Sequence, residues 1–144
     1  MNEQNYANHR RFVPLFHGVL FTLLVLTFAG SIVNFFKSLG DHQRLYSASL
    51  IVVLTFSALM LFFFCRIFAL KAQDRAIRAE ENLRHFVLTG KVLDPRLTVR
   101  QIIGLRFASD DEFPALAAKA ATENISEDAI KRAVKNWRAD TYRV

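Results

Sequence analysis

The 144-residue chain has one cysteine, one tryptophan, three prolines and five glycines. A lone thiol, Cys65, excludes a disulfide within the chain, and nothing points to an oxidising compartment. No glycine-rich loop is present to cradle a phosphate. The four histidines, His9, His17, His42 and His85, are scattered and lack ligand spacing such as His-x-x-x-His. No Ser/His/Asp or paired-carboxylate arrangement stands out. The expectation is a protein that is not an enzyme, with no cofactor and no metal.

The absence of charge over two long stretches is the most informative. Residues 12–36 and 45–65 contain no Asp, Glu, Lys or Arg. As a helix rising ~1.5 Å per residue, each is long enough to cross ~30 Å of hydrocarbon. Eleven of the 14 Phe lie between Phe12 and Phe68, too concentrated for a soluble core. The first run is too long for a signal-peptide apolar region and is not followed by a cleavage motif. The fold class expected is an all-α membrane protein. A two-helix transmembrane hairpin has its second helix extended into the cytoplasm, and a small helical C-terminal region follows. In numbers, a cytoplasmic N-terminus (1–11) precedes the first span (12–36), an extracytoplasmic loop (37–44) and the second span (45–65). A cytoplasmic helical extension (66–89) and the C-terminal helical region (90–144) complete it.

Lys and Arg set the orientation. Arg10 and Arg11 precede the first span; Arg66, Lys71, Arg75, Arg78 and Arg84 follow the second. The loop has only Lys37 and Arg44. The excess places both flanks of the hairpin in the cytoplasm. Residues 66–106 carry nine basic and four acidic side chains, a belt suited to anionic lipid headgroups, with Arg10, Arg11, Arg66, Lys71 and Arg75 as the contacts.

One seam of small or apolar residues threads the second helix: Ala48, Ile51, Thr55, Ala58, Phe62, Cys65, Ala69, Ala72, Ala76, Ala79, Leu83 and Phe86. Its steps of three and four are heptad spacing, the mark of packing along one line. Helix formers continue to Leu88, with Asp74–Arg78 and Glu80–Arg84 spaced for i,i+4 pairs, and Gly90 suits the stop. Alanines at 69, 72, 76 and 79 ask for a close partner, whereas a parallel zipper would carry Leu or Ile. An antiparallel partner is expected, the chain's own C-terminal helices being one choice and a foreign subunit another. Cys65 reads as a small buried packing residue, with palmitoylation as the alternative.

Three short helices are expected beyond Pro95. Thr98–Gln101 and Ser109–Glu112 read as capping boxes, and Ser126 as a cap. Apolar faces comprise Val99, Ile102 and Ile103, then Phe113, Leu116, Ala117, Ala120 and Ala121, then Ile130, Ala133, Val134 and Trp137. Asn124 can end the middle helix. Lys131, Lys135 and Arg138 would line one face of the last, but acids surround them and residues 107–144 carry six basic against seven acidic side chains. Nucleic acid is therefore disfavoured as a partner.

Polar groups inside the first span are His17, Thr27, Ser31 and Asn34, beside Thr22. His17 reads as an interfacial group hydrogen-bonded to a neighbour, with a proton, quinone or haem role as the alternative. The others fit close helix packing, within the hairpin or against another protein.

Four strings carry a family resemblance: Gln4-Asn5-Tyr6-Ala7-Asn8-His9-Arg10-Arg11, Asp94-Pro95-Arg96-Leu97-Thr98, Gln101-Ile102-Ile103-Gly104-Leu105-Arg106 and Asn136-Trp137-Arg138-Ala139-Asp140. With them the chain resembles a family of small, uncharacterised bacterial two-span membrane proteins. The resemblance implies a bacterial plasma (inner) membrane and carries no functional residues. The function expected is an accessory or scaffold subunit of a membrane complex, whose partners are the lipid bilayer and another membrane protein or itself. A homo-oligomeric channel or transport component is the alternative; a tethered nucleic-acid or signal-binding module is a weaker one.

Overall fold

The computed structural model describes residues 4–9 and 11–140. Its described residues are all-helical, with five α-helices: α1 (Phe21–Lys37), α2 (His42–Thr89), α3 (Val99–Leu105), α4 (Phe113–Glu123) and α5 (Glu127–Ala133). They fall into two compact units. Residues 12–69 form one; residues 1–11 and 70–144 form the other. Helix α2 contributes its first part to one and its remainder to the other.

The first unit is a helical hairpin. It opens with a π-helical stretch, Pro14–Leu20, rather than the α-helix expected from residue 12. Pro14 has no N–H to donate, so it fits the first turn. Val13 N–H donates to His17 Nδ1 at 3.1 Å. The connection is shorter than expected, because α2 begins at His42 rather than Leu45. Asp41 causes this: its Oδ1 accepts from the backbone N–H of Gln43 at 3.1 Å and Arg44 at 3.2 Å, capping the helix early. The seam residues of this part of α2 are used inside the hairpin. Ala48 is fully buried, Thr55 Oγ1 lies 3.0 Å from Ser31 Oγ, and Phe62 stacks on Phe16 at 4.3 Å between centroids. The rest of the surface is apolar and open. Two helical stretches, Pro14–Lys37 and His42–Thr89, are long and apolar enough to span a membrane, and only 6% of the most apolar window of each is buried.

The second unit, the head, is built around α3. Every residue from Gln101 to Ala108 is buried. Ile77 of α2 joins Leu93, Leu97, Ile102, Ile103, Leu105, Phe113, Ala117, Ala120, Ile130 and Val134 in one core. The Thr98–Gln101 capping box forms as expected. Gln101 is buried and satisfied on both sides: its Oε1 accepts from Thr98 N–H at 2.8 Å, and its Nε2 donates to Ile125 O at 3.0 Å. Asn124 ends α4 in the left-handed region (φ 49°), Ser126 caps α5, and Gly90 (φ 73°) ends α2.

Only half of the second capping box forms: Glu112 Oε1 accepts from Ser109 N–H at 3.4 Å, while Ser109 Oγ has no hydrogen-bond partner. Helix α4 starts at Phe113, with Glu112 as its N-cap residue. The same carboxylate also accepts from the backbone N–H of Asn136 at 3.0 Å and of Lys135 at 3.1 Å. Helix α5 likewise stops at Ala133, short of the expected Trp137. The chain turns extended at Val134 and forms an antiparallel bridge, Ala108 to Trp137. Arg138 N–H donates to Phe107 O at 2.8 Å. Lys135 and Arg138 thus lie beyond α5 and do not share a helix face with Lys131.

Helices α3 and α5 touch at Gly104, where an added Cβ would sit 3.0 Å from Glu127 O and 3.2 Å from Ile130 Cβ. Gly104→Val should force the two helices apart and cost ~1–3 kcal/mol, read as a lowered thermal midpoint of the head. An unchanged midpoint would show that the contact has slack.

Candidate functional site

Three features of the head could do work: a buried charge network, a docked N-terminal segment and an uncovered face of α2.

The network is centred on Glu81, whose side chain is 6% exposed. Arg84 Nη1 lies 2.9 Å from Glu81 Oε2, and Arg138 Nη1 lies 3.6 Å from Glu81 Oε1. Arg84 also donates from Nη2 to Ala108 O at 2.7 Å and from Nε to Asp110 at 2.7 Å. Its guanidinium covers the Phe113 ring at 4.4 Å. Arg84 therefore pairs with Glu81 and Asp110 rather than with Glu80, which stays exposed. The i,i+3 partner wins because it faces the head.

Arg106 is the second buried cation. Its Nη1 lies 3.1 Å from Asp140 Oδ2, and its guanidinium covers Phe107 at 4.6 Å. Burial lowers its pKa, and Asp140 partly offsets that. It borders a cavity of ≈300 Å³ with Gln73, Ala76, Glu80, Glu81, Arg138 and Asp140. A second, ≈460 Å³, lies between α2 and the loop beyond it, lined by Arg75, Arg78, Ala79, Asn82, Val92, Leu97 and Ile102. Among the described residues no group of three or more His, Cys, Asp or Glu side chains could hold a metal ion.

The N-terminal segment is part of the head. Asp140 N–H donates to Gln4 Oε1 at 2.7 Å, and Gln4 Nε2 returns a bond to Asp140 O at 3.4 Å. Tyr6 donates its hydroxyl proton to Asp128 and accepts from Arg132 Nε at 3.1 Å. The His9 ring meets Tyr6, Phe107 and Trp137 within 6.0 Å. Two of the four strings that carried the resemblance, residues 4–9 and 136–140, are thus one contact. That shared recurrence was the only sequence signal for it; no spacing rule links positions so far apart.

The residues singled out on α2 have a different fate. At ~3.6 residues per turn, Ile77, Glu81 and Arg84 share the face that meets the head. Ala72, Ala79, Leu83 and Phe86 lie on the opposite face, with Ala76 at its margin. Ala72, Ala76 and Ala79 are exposed; Leu83 is 63% and Phe86 51% exposed; Ala69 is half-buried. Of the two partners expected, the chain's own C-terminal helices leave these seam positions exposed, with Ala76 and Ala79 each bordering a cavity lined also by other residues of the head. Alanines offer little area to bury, whereas Ile77 supplies a full aliphatic side chain and Glu81 a carboxylate for two arginines.

In the hairpin, Ser31 is buried; its hydroxyl donates to Phe28 O at 2.7 Å or meets Thr55. Thr27 donates to Leu23 O at 2.7 Å. Thr22, Thr27 and Asn34 are exposed. His17 is half-buried between Phe12 and Phe16. Cys65 is exposed rather than buried. Arg11, Lys71 and Arg75 are exposed and Arg66 half-buried; Arg10 lies outside the described residues.

The Tyr6 hydroxyl, and then Arg132, hold the Asp128 carboxyl below its usual range. A depressed folded value means that this pairing contributes in full above the ordinary aspartate pKa, ~3.9, and is lost as pH falls through the lower folded value. Hydrogen-exchange protection of residues 5–9 should therefore hold from neutral pH down to about 4 and fall below it. Release centred near the ordinary histidine value, ~6.5, would show that Asp128 does not hold the segment.

Neither the curated proteins nor the solved structures contain a match to this chain. A family model described as a family of unknown function, DUF6526, matches residues 1–144, and the chain belongs to that family.

Proposed function

We propose that this protein is a non-enzymatic, membrane-anchored interaction module of the bacterial inner membrane. The hairpin is its anchor, α2 carries the head, and the uncovered face of α2 is its docking surface. The single observation carrying this reading is that the head packs on one face of α2 and leaves Leu83 and Phe86 of the opposite face open. A water-soluble helix does not keep such a row without a use for it.

The anchor reading is supported by how little of the two apolar helices is buried, since a soluble core helix would be mostly buried. The head holds both the N-terminal segment and the C-terminal helices. Both flanks of a two-span hairpin then belong on one side, and the excess of Lys and Arg there favours the cytoplasm. A lined conduction path is less favoured, because Ser31 and Thr27 commit their hydroxyls to the hairpin's own groups.

Two measurements test this. Reporters fused after Val144 should read cytoplasmic, and one inserted at Gly40 should read external; the reverse pattern would refute the orientation. In mild detergent the full chain should run as a particle heavier than one copy plus its detergent, and Phe86→Asp should return it to monomer mass. A strictly monomeric wild-type particle would count against a docking role.

A further inference from the structure

We propose that the partner on the open face of α2 is a second copy of this chain, lying parallel and in register. This rests on the docking reading above and names its occupant.

The face is not only a small-residue groove. Beside Ala72, Ala76 and Ala79 it carries Leu83 (63% exposed), Phe86 (51%) and, at its edge, Val87 (75%). Its steps from Ala72 to Phe86 are four, three, four and three, so these positions are the a and d sites of two heptads. Arg75 then falls at a g site and Glu80 at an e site, on opposite edges of the face and five residues apart. Among the described residues neither is paired with a charge of its own chain, and both are exposed.

Those two charges decide the orientation. In a parallel, in-register pair, each g residue meets the e residue five positions further along the other helix. Arg75 of each copy then meets Glu80 of the other, twice across a two-fold axis. In an antiparallel pair, g edges meet g edges and e edges meet e edges. The g edge (Phe68, Arg75, Asn82, Thr89) contains no acid, and the e edge (Gln73, Glu80, Val87) contains no base. Neither charge would find an opposite. Parallel packing is also what two copies anchored with the same orientation in one bilayer can form. This reverses the antiparallel partner expected from the alanines alone, because the edge charges discriminate the two orientations and the alanines do not; the alanines let the helices approach closely near Ala72, while Leu83 and Phe86 fill the far end.

Disulfide mapping of the full chain in its native membrane tests this. In a Cys65→Ser background, single substitutions Ala72→Cys, Ala76→Cys, Ala79→Cys and Leu83→Cys are oxidised and scored for homodimer. Lys71→Cys and Arg78→Cys, exposed but off the face, are controls. The seam positions should crosslink at least about ten-fold better than the controls. Arg75→Glu should cut crosslinking at Ala79→Cys several-fold, and adding Glu80→Arg should restore it. Equal crosslinking at all positions, no rescue by the double exchange, or efficient linking only between mixed Ala72→Cys and Phe86→Cys chains would each overturn the parallel pair. If seam thiols link to a different protein instead, this inference fails and the docking reading stands. If they link to nothing while an added maleimide labels them freely, both fail.

Discussion

A carboxylate buried in the side of a helix organises the head. Glu81 lies within α2 with Arg84 of the same helix and Arg138 of the C-terminal extended segment beside it. Leaving such a carboxylate unpaired in the interior costs roughly 3–5 kcal/mol, so the network holds these parts as a set. Arg84 carries the connection onward to Ala108 O and Asp110, which fixes the bridge between the end of α3 and residues 136–138. Once Glu81 is committed, the head can lie only on the Ile77 face of α2. The opposite face is left open for the same reason.

The second tie is local in space and remote in sequence. Gln4 pairs with the backbone of Asp140, whose carboxylate in turn meets Arg106. Tyr6 meets Asp128 and Arg132, and the His9 ring completes an aromatic cluster with Phe107 and Trp137. This makes the segment before the hairpin a structural part of the head that follows it.

Much of the helical layout is legible in the amino-acid sequence. The uncharged runs are contiguous in the chain, and the Thr98 box, the Ser126 cap, and Asn124 and Gly90 as stops are signals read within four residues of where they act. The errors came where a local signal had a distant competitor. Glu112 reaches the Ser109 N–H as the box requires, but its carboxylate also takes the backbone N–H groups of Lys135 and Asn136, and α4 begins only at Phe113. Trp137 fitted the period of α5, but the bridge to Ala108 drew it into an extended segment. Glu80 was spaced to pair with Arg84, yet Glu81 faced the head.

The amino-acid order alone determined that these segments are helical, the stops at Gly90 and Asn124, which stretches are free of charge, and that one heptad seam runs along α2. Those properties depend on backbone propensity, capping and periodicity, all set by near neighbours. Only the tertiary structure decided how the seam is divided: its first part is packed inside the hairpin at Ala48, Thr55 and Phe62, and its second part is open from Ala72 to Phe86. A helix has several faces that could pack. Which one does depends on residues that converge only on folding, here Glu81 with Arg138 and Ile77 with the core around α3.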